Sequence, residues 1–226
     1  MTVKPDAKER AKRNAALEAL KFVKNNSVIG LGSGSTAAIF VKLLSEKAKK
    51  ENLKIRCVAT SSATEKLARE LGLNLANLAS VEKIGLAVDG TDLVDSKLNL
   101  IKGGGGAHAR EKIIAYSAKK FVVIADESKI AKNLSGKVPL EVFPFAVPYV
   151  LRILRERFKV QCSVRQFPSD NGNVLIDAFF TGIKNPRKLE EELKSVSGIV
   201  ENGIFSRNVS SVIVGSENGA RILRKK

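Results

Sequence analysis

Apolar and polar positions follow one another along the chain in a pattern that predicts helices and strands in turn. Residues 6–25 place Leu17, Leu20 and Val23 on one stripe with Lys and Arg elsewhere, which predicts an amphipathic helix. Short apolar runs at 28–31, 55–60, 86–88 and 121–125 predict buried strands, and helical stretches at 37–50, 63–71 and 109–119 lie between them. Strand and helix alternating in this way predict an α/β unit, a parallel sheet covered on both faces. The polar loops all follow strands, so they are expected to gather at one sheet edge, where open parallel sheets bind ligands.

The pattern changes after residue 132. A strand at 140–145 carries Pro139 and Pro144 at its ends, which suits an edge or a strand boundary. Then come a helix at 148–158, a strand at 160–166, a hairpin turn Ser169-Asp170-Asn171-Gly172-Asn173, and a strand at 174–180. A helix at 186–194 opens on Pro186, and a strand at 199–206 follows. This β-α-β-β-α-β order is that of a ferredoxin-like α+β unit. A last apolar strand at 209–215 returns to the character of the first sheet, so the second unit reads as an insertion. The expected division is residues 1–131 plus 207–226 for the parallel-sheet domain and 132–206 for the inserted one.

Composition narrows the partners. With 44% hydrophobic and 27% charged residues among 226, the chain is expected to fold, not to be disordered. The net charge of +16 suits an anionic partner, whether nucleic acid, membrane surface or phosphorylated metabolite; lysines dispersed over a surface give the same number. No run approaches the ~18 apolar residues of a membrane span. Residues 1–24 lack the apolar core of a signal peptide, so a cytoplasmic protein is expected. Cys57 and Cys162 lie too far apart in sequence for a zinc motif and are expected to be reduced core residues.

Four loops carry candidate chemistry. Gly30, Gly32 and Gly34 lie between a strand and a helix, where a glycine turn can cradle phosphate or simply turn tightly. A Walker loop would need Lys between Gly34 and Thr36, where Ser35 stands, and a dinucleotide fingerprint would need Gly at Ser35 and an acid near the end of the next strand. Neither is present. Ser33, Ser35 and Thr36 remain as hydroxyls at a helix start. Asp89-Gly90-Thr91-Asp92, with Asp95 a third carboxylate just outside, stands at the end of a buried strand and could be a solvated turn; a metal site is disfavoured because no His lies nearby. Lys102 and Glu111 bracket the four glycines Gly103–Gly106, with His108 close by. A cation beside a carboxylate suits proton abstraction next to a carbonyl, although solvated surface charges would show the same letters. Asp126-Glu127-Ser128-Lys129 closes another strand with a lysine able to reach an anion.

Taken in order, Gly32-Ser33-Gly34-Ser35-Thr36, Asp89-Gly90-Thr91-Asp92, Lys102-Gly103-Gly104-Gly105, Arg110-Glu111-Lys112 and Asp126-Glu127-Ser128-Lys129 resemble the ribose-5-phosphate isomerase A family. Pro139-Leu140-Glu141-Val142 and Asp170-Asn171-Gly172-Asn173 are similar to it as well. The resemblance implies a Rossmann-like domain with a ferredoxin-like lid. It also implies interconversion of D-ribose 5-phosphate and D-ribulose 5-phosphate in the pentose phosphate pathway, with no metal or organic cofactor. By motif, Glu111 would be the general base, Lys102 would stabilise the enediolate, and Asp89 and Asp92 would bind hydroxyls, open the ring and shuttle protons. Ser33, Gly34, Ser35 and Thr36 would hold the phosphate and Lys129 would add a contact. Gly90, Thr91, Gly103, Gly104 and Gly105 would line the substrate, and Lys12 stands where the family can offer a basic phosphate contact. A homodimer or homotetramer that binds neither nucleic acid nor membrane is implied too. The chain departs from the family at Thr91 and Leu93, where Ala and an acid are usual, and at Gly106-Ala107-His108-Ala109, where Ala-Ala-Leu-Thr is usual.

Three rivals are weighed against this. An amino-sugar phosphate deaminase would want His elsewhere, and a coenzyme A transferase would want a longer chain. A sugar-phosphate sensor or RNA-binding module would want a helix-turn-helix or an aromatic RNA-binding pattern, but Trp is absent and only Tyr116 and Tyr149 represent tyrosine.

Overall fold

The computed structural model describes residues 6–224. In chain order the elements are α1 (Ala7–Ala19), β1 (Val28–Leu31), α2 (Ser35–Lys50), β2 (Arg56–Ala59), α3 (Ser62–Glu70), β3 (Leu86–Asp89), β4 (Leu93–Val94), β5 (Leu100–Ile101) and α4 (His108–Ser117). There follow β6 (Phe121–Asp126), β7 (Leu134–Val142), α5 (Val147–Glu156), β8 (Gln161–Val164), β9 (Val174–Ile183) and α6 (Pro186–Lys194). The last are β10 (Ile199–Asn202), β11 (Ile204–Phe205), β12 (Val209–Ser216) and β13 (Gly219–Leu223).

The chain divides into two compact units. The first comprises the described residues up to Gly90, Ile113–Ile130 and those from Asn208 onward; the second comprises Thr91–Lys112 and Ala131–Arg207. Residues 91–112, which the sequence expectation counts with the parallel-sheet domain, pack with the second unit.

Among the described residues of the first unit, a six-stranded sheet runs β13-β12-β6-β3-β1-β2, parallel throughout except for the β12–β13 hairpin. Near-continuous apolar strands are what a sheet covered on both faces requires. All six residues of β6 are buried, and Ile29, Leu31, Phe40, Leu44, Val88, Val122, Ile124 and Ile213 form one core. Helix α1 lies directly on β12. A Cβ added at Gly215 would come within 1.9 Å of the Ala11 carbonyl oxygen, and Asn14 Nδ2 donates to the Ser216 carbonyl at 2.9 Å. Because β1 has β2 on one side and β3 on the other, the winding reverses at β1. The loops leaving the carboxyl ends of β1 and β3 therefore diverge, which opens a crevice there.

In the second unit β7, α5, β8, β9, α6 and β10 follow one another, and their strands form an antiparallel sheet in the order β10-β7-β9-β8. A three-stranded sheet, β11-β5-β4, adjoins it in the same unit. Leu140, Val142, Val150, Leu154, Ile176, Ala178 and Leu193 are buried in its core.

The structure departs from the sequence expectation at β7, at residues 199–206, at the end of the first helix and at Cys162. β7 begins at Leu134 instead of 140 and is an interior strand, despite Pro139. Its ladder with β10 ends at Leu140, so the missing N–H of Pro139 falls just past the last rung, while the Pro139 carbonyl accepts from Gly203 N at 2.7 Å. The strand expected at 199–206 breaks at Gly203 into β10 and β11, which serve different sheets. The first helix stops at Ala19, and Leu20–Phe22 tighten into a 3₁₀ turn. Cys57 is buried, its thiol pushed up to about 12 by burial, whereas Cys162 is only half-buried on β8.

Candidate active site

The first unit gathers its polar loops at the carboxyl edge of the parallel sheet. Beyond β1 the Gly32 N–H still donates to Val88 at 2.9 Å, which holds the turn against β3. Asp89, 3% exposed, uses one oxygen, Oδ1, to accept from the Ser33 and Gly90 N–H groups at 2.9 and 2.7 Å. A Cβ at Gly32 would sit 2.1 Å from the Asp89 carboxyl carbon, so this carboxylate can occupy its place only because residue 32 has no side chain. The Ser33 hydroxyl turns inward to Thr60 and Ser61 at 2.8 and 2.7 Å, and those partners bond the Leu31 carbonyl and Thr64 in turn. Its protein partners are thus in place. Ser35 and Thr36 open α2, whose N-cap, Gly34 at φ 91°, has no side chain to cap the first-turn N–H groups. Lys12 Nζ donates to Ser35 Oγ at 2.9 Å. An ammonium at the positive end of a helix is electrostatically adverse, and an anion bound there would relieve both charges.

Two strands along, β6 ends at Asp126, which accepts from the Ser128 N–H at 3.0 Å and from its hydroxyl. Burial pushes the Asp126 carboxyl up, but these bonds and the charges of Lys8 and Lys129 outweigh it and hold it below the usual range. Lys129 therefore stands beside a fixed negative charge at the same sheet edge.

The second unit holds the other candidate residues. Lys102, just after β5, and Glu111, in the first turn of α4, form an ion pair with Nζ 3.2 Å from Oε2, and their side chains are 3% and 6% exposed. A buried amine and carboxylate are costly to desolvate, so a pair held this closely and shielded this fully is a place where proton position matters. The ring of Phe205 lies 5.5 Å from Lys102 Nζ and 4.9 Å from Lys112 Nζ. Between the pair, the glycine loop passes over His108. Gly103 has φ +99°, and a Cβ there would come within 2.7 Å of His108 Nδ1, so glycine is required on both counts. Exposed Asp92 accepts the Gly104 N–H at 2.7 Å. The Thr91 hydroxyl is spent on the Leu93 and Ile101 carbonyls, and Asp95 closes the β4–β5 turn through the Lys97 and Asn99 N–H groups.

His108 is fully buried, with Nε2 3.3 Å from the Glu201 carbonyl oxygen. Burial lowers it to about 4, and Lys112 acts the same way, against the opposing charges of Glu141 and Glu201. In the unfolded chain it titrates near its ordinary value, so between these two values the unfolded state binds more protons and stability falls as pH falls. The loss approaches about 3 kcal/mol once the pH is below the folded value. Urea unfolding of wild type and His108→Leu at about pH 7.5 and about pH 5 should show this slope in wild type and a flatter one in the variant. Equal slopes would refute it.

Sequence reasoning missed the side chains behind these residues. Lys112 Nζ lies 3.1 Å from Glu190 and 3.0 Å from Glu201, and Arg165 pairs with Asp177 at 2.6 Å. Lys112 belongs to the Arg110-Glu111-Lys112 motif, but Glu190, Glu201, Arg165 and Asp177 carry no local signature, and only their arrangement in space picks them out. Among the described residues no group of three or more His, Cys, Asp and Glu side chains is placed to hold a metal ion.

Comparison with known proteins matches residues 56–219 to the family model described as ribose 5-phosphate isomerase A (phosphoriboisomerase A). The chain belongs to this family. The ribose-5-phosphate isomerase A of Methanosarcina acetivorans is 44% identical over 215 residues, 92% of either chain. That of Pyrococcus horikoshii is 43% identical over 96% of this chain and 99% of its own. Among solved structures, ribose 5-phosphate isomerase A from Methanocaldococcus jannaschii superposes with a TM-score of 0.91 at 39% identity, over 96% of this chain and 99% of that one. A D-ribose-5-phosphate isomerase in complex with phospho-erythronic acid gives a TM-score of 0.93 at 42% identity, over 97% of this chain and all of the other. Ribose-5-phosphate isomerase A is therefore the family within which the geometry above is interpreted.

Proposed function

We propose that the protein interconverts D-ribose 5-phosphate and D-ribulose 5-phosphate through an enediolate, with Glu111 as the general base. The buried Lys102–Glu111 pair carries this reading. Glu111 takes the C2 proton of the open-chain aldose and returns it to C1, while Lys102 stabilises the oxyanion that develops on the enediolate. Asp89 and Asp92 bind hydroxyls, assist ring opening and move the proton from O2 to O1, so the atoms of aldose and ketose balance. Ser33, Gly34, Ser35 and Thr36 hold the phosphate, joined by Lys129 and, through its bond to Ser35, by Lys12. Gly90, Thr91, Gly103, Gly104 and Gly105 line the substrate. The phospho-erythronic acid bound by a relative supports this assignment, since its planar carboxylate presents two oxygens as an enediolate does.

The finer expectations belong to the same reading: a cytoplasmic homodimer or homotetramer acting on a free sugar phosphate, without nucleic acid, membrane or cofactor, and with residues 132–206 serving as a lid. No helix among the described residues is long and apolar enough to cross a membrane.

The test is conversion of ribose 5-phosphate to ribulose 5-phosphate in deuterium oxide containing EDTA. Solvent deuterium at C1 of the ketose or at C2 of recovered aldose marks exchange of the proton held on Glu111 along the enediolate route, whereas direct return of the abstracted proton leaves none. No conversion, or full conversion by Glu111→Gln, would overturn the reading.

A further inference from the structure

Arg165 lies just past β8, and its guanidinium bridges Asp177 on the partner strand β9 and the glycine loop. Nε and Nη2 donate to the two Asp177 oxygens at 3.0 and 2.6 Å. Nη1 donates to the carbonyls of Gly103 and Gly104 at 3.1 and 3.0 Å. The Arg165 and Asp177 side chains are 8% and 7% exposed, and Lys137 Nζ stands 3.5 Å from the same carboxylate. The hairpin does not need this reach, because the Arg165 backbone N–H already bonds the Leu175 carbonyl at 2.9 Å.

We propose that Arg165, locked onto Asp177, is a positioning residue that fixes the polarity of the glycine loop between Lys102 and Glu111. The proposal rests on the isomerase reading above. In a trans peptide the C=O and the following N–H point in opposite directions. With the Gly103 and Gly104 carbonyls drawn to Arg165, the Gly104 and Gly105 N–H groups must face the other way. The Gly104 N–H indeed meets the Asp92 carboxylate, and the same planarity directs the N–H of exposed Gly105 away from Arg165. Arg165 thus orients Asp92 through one peptide and aims a second donor at the side where an enediolate oxygen develops charge. Glycines alone cannot hold this arrangement, since the same freedom that admits Gly103 at positive φ lets either peptide flip. The role calls for arginine. A planar fork can grip a carboxylate with one edge and two carbonyls with the remaining nitrogen, which a lysine ammonium cannot span.

The experiment compares wild type with Arg165→Gln and Arg165→Lys, measuring kcat and KM for ribose 5-phosphate, thermal midpoint, and amide hydrogen exchange at Gly104 and along β9. Both variants should lose kcat by about 10²-fold with KM within about threefold of wild type, because the loop acts on the transition state more than on substrate affinity. Gly104 exchange should quicken while β9 stays protected. If Arg165→Gln does not fold, Asp177→Asn loosens the same fork with the arginine retained, and should show a smaller kcat loss with the same exchange signature. Unchanged kcat in the variants, full activity of Arg165→Lys, or exchange that quickens equally along β9 would overturn the proposal. An inactive wild type would instead sink the isomerase reading, so the two failures are distinguishable.

Discussion

Glu111→Gln is expected to lower turnover of ribose 5-phosphate by about 10²–10⁴-fold while leaving the fold intact. Glutamine matches the shape of glutamate, and its amide oxygen can still accept from Lys102, whose Nζ stands 3.2 Å from the native carboxylate. What disappears is a group that can take a proton from carbon and give it back. The ligand-binding residues are elsewhere, so phospho-erythronic acid should bind the variant within a few-fold of wild type by calorimetry. Solvent deuterium should no longer enter recovered ribose 5-phosphate. A variant that turned over normally would show that another group is the base; one that lost ligand binding as well as turnover would show that Glu111 holds substrate instead.

Lys112→Met should be the most damaging single change to stability. The ammonium is 5% exposed and lies 3.1 Å from Glu190 and 3.0 Å from Glu201, whose side chains are 4% and 16% exposed. Removing it takes the counter-charge from buried Glu190 and from half-buried Glu201, which keeps Lys194 at 3.1 Å, and breaking a buried pair from one side costs about 3–5 kcal/mol. For a chain of this length that corresponds to a fall in thermal midpoint of roughly 10 °C. The pH dependence carries a signature. Burial pushes the Glu201 carboxyl up, and Lys112, the Asn202 N–H and Lys194 together hold it below its ordinary value. Losing Lys112 removes part of what lowers this carboxyl, so it titrates higher in the folded variant than in folded wild type, with the Asn202 N–H and Lys194 still in place. The variant's deficit against wild type therefore shrinks as pH falls through the carboxylate range. Thermal melts at about pH 8 and about pH 4 would check this, and a deficit independent of pH would mean that lost packing on Phe205, not lost charge, is the cause.

The α/β architecture was readable because buried parallel strands leave a strong trace: unbroken apolar runs such as 121–125, each followed by a polar turn. The antiparallel hairpin was equally plain from Asp170-Asn171-Gly172-Asn173. β4 and β5 escaped because two residues cannot express a period, and β5 is held between nearby β4 and distant β11. β13 escaped because it is a half-exposed edge of mixed polarity. At the candidate site, residue types at motif positions could be named from sequence, but not their surroundings. Ser33 looks like a hydroxyl offered to ligand, yet it bonds Thr60 and Ser61. The run Gly103–Gly106 suggests close passage of a ligand, yet Gly103 yields to His108 and a Cβ at Gly106 would strike Leu175 at 2.6 Å. Arg165 has no local signature, since the two carbonyls it holds lie in a loop far back along the chain.

The seating of α1 on β12 also sets a timetable. The helix leaves the ribosome 190 residues ahead of the strand it covers, since α1 ends at Ala19 and β12 begins at Val209, and β12 is also the neighbour that β6 needs on its outer side. At ~5–20 residues per second, α1 waits on the order of ten to forty seconds with its alanine face, Ala11, Ala15 and Ala19, uncovered. Small side chains make that face only weakly adhesive, and the basic residues around it keep a nascent chain in solution until its partner arrives.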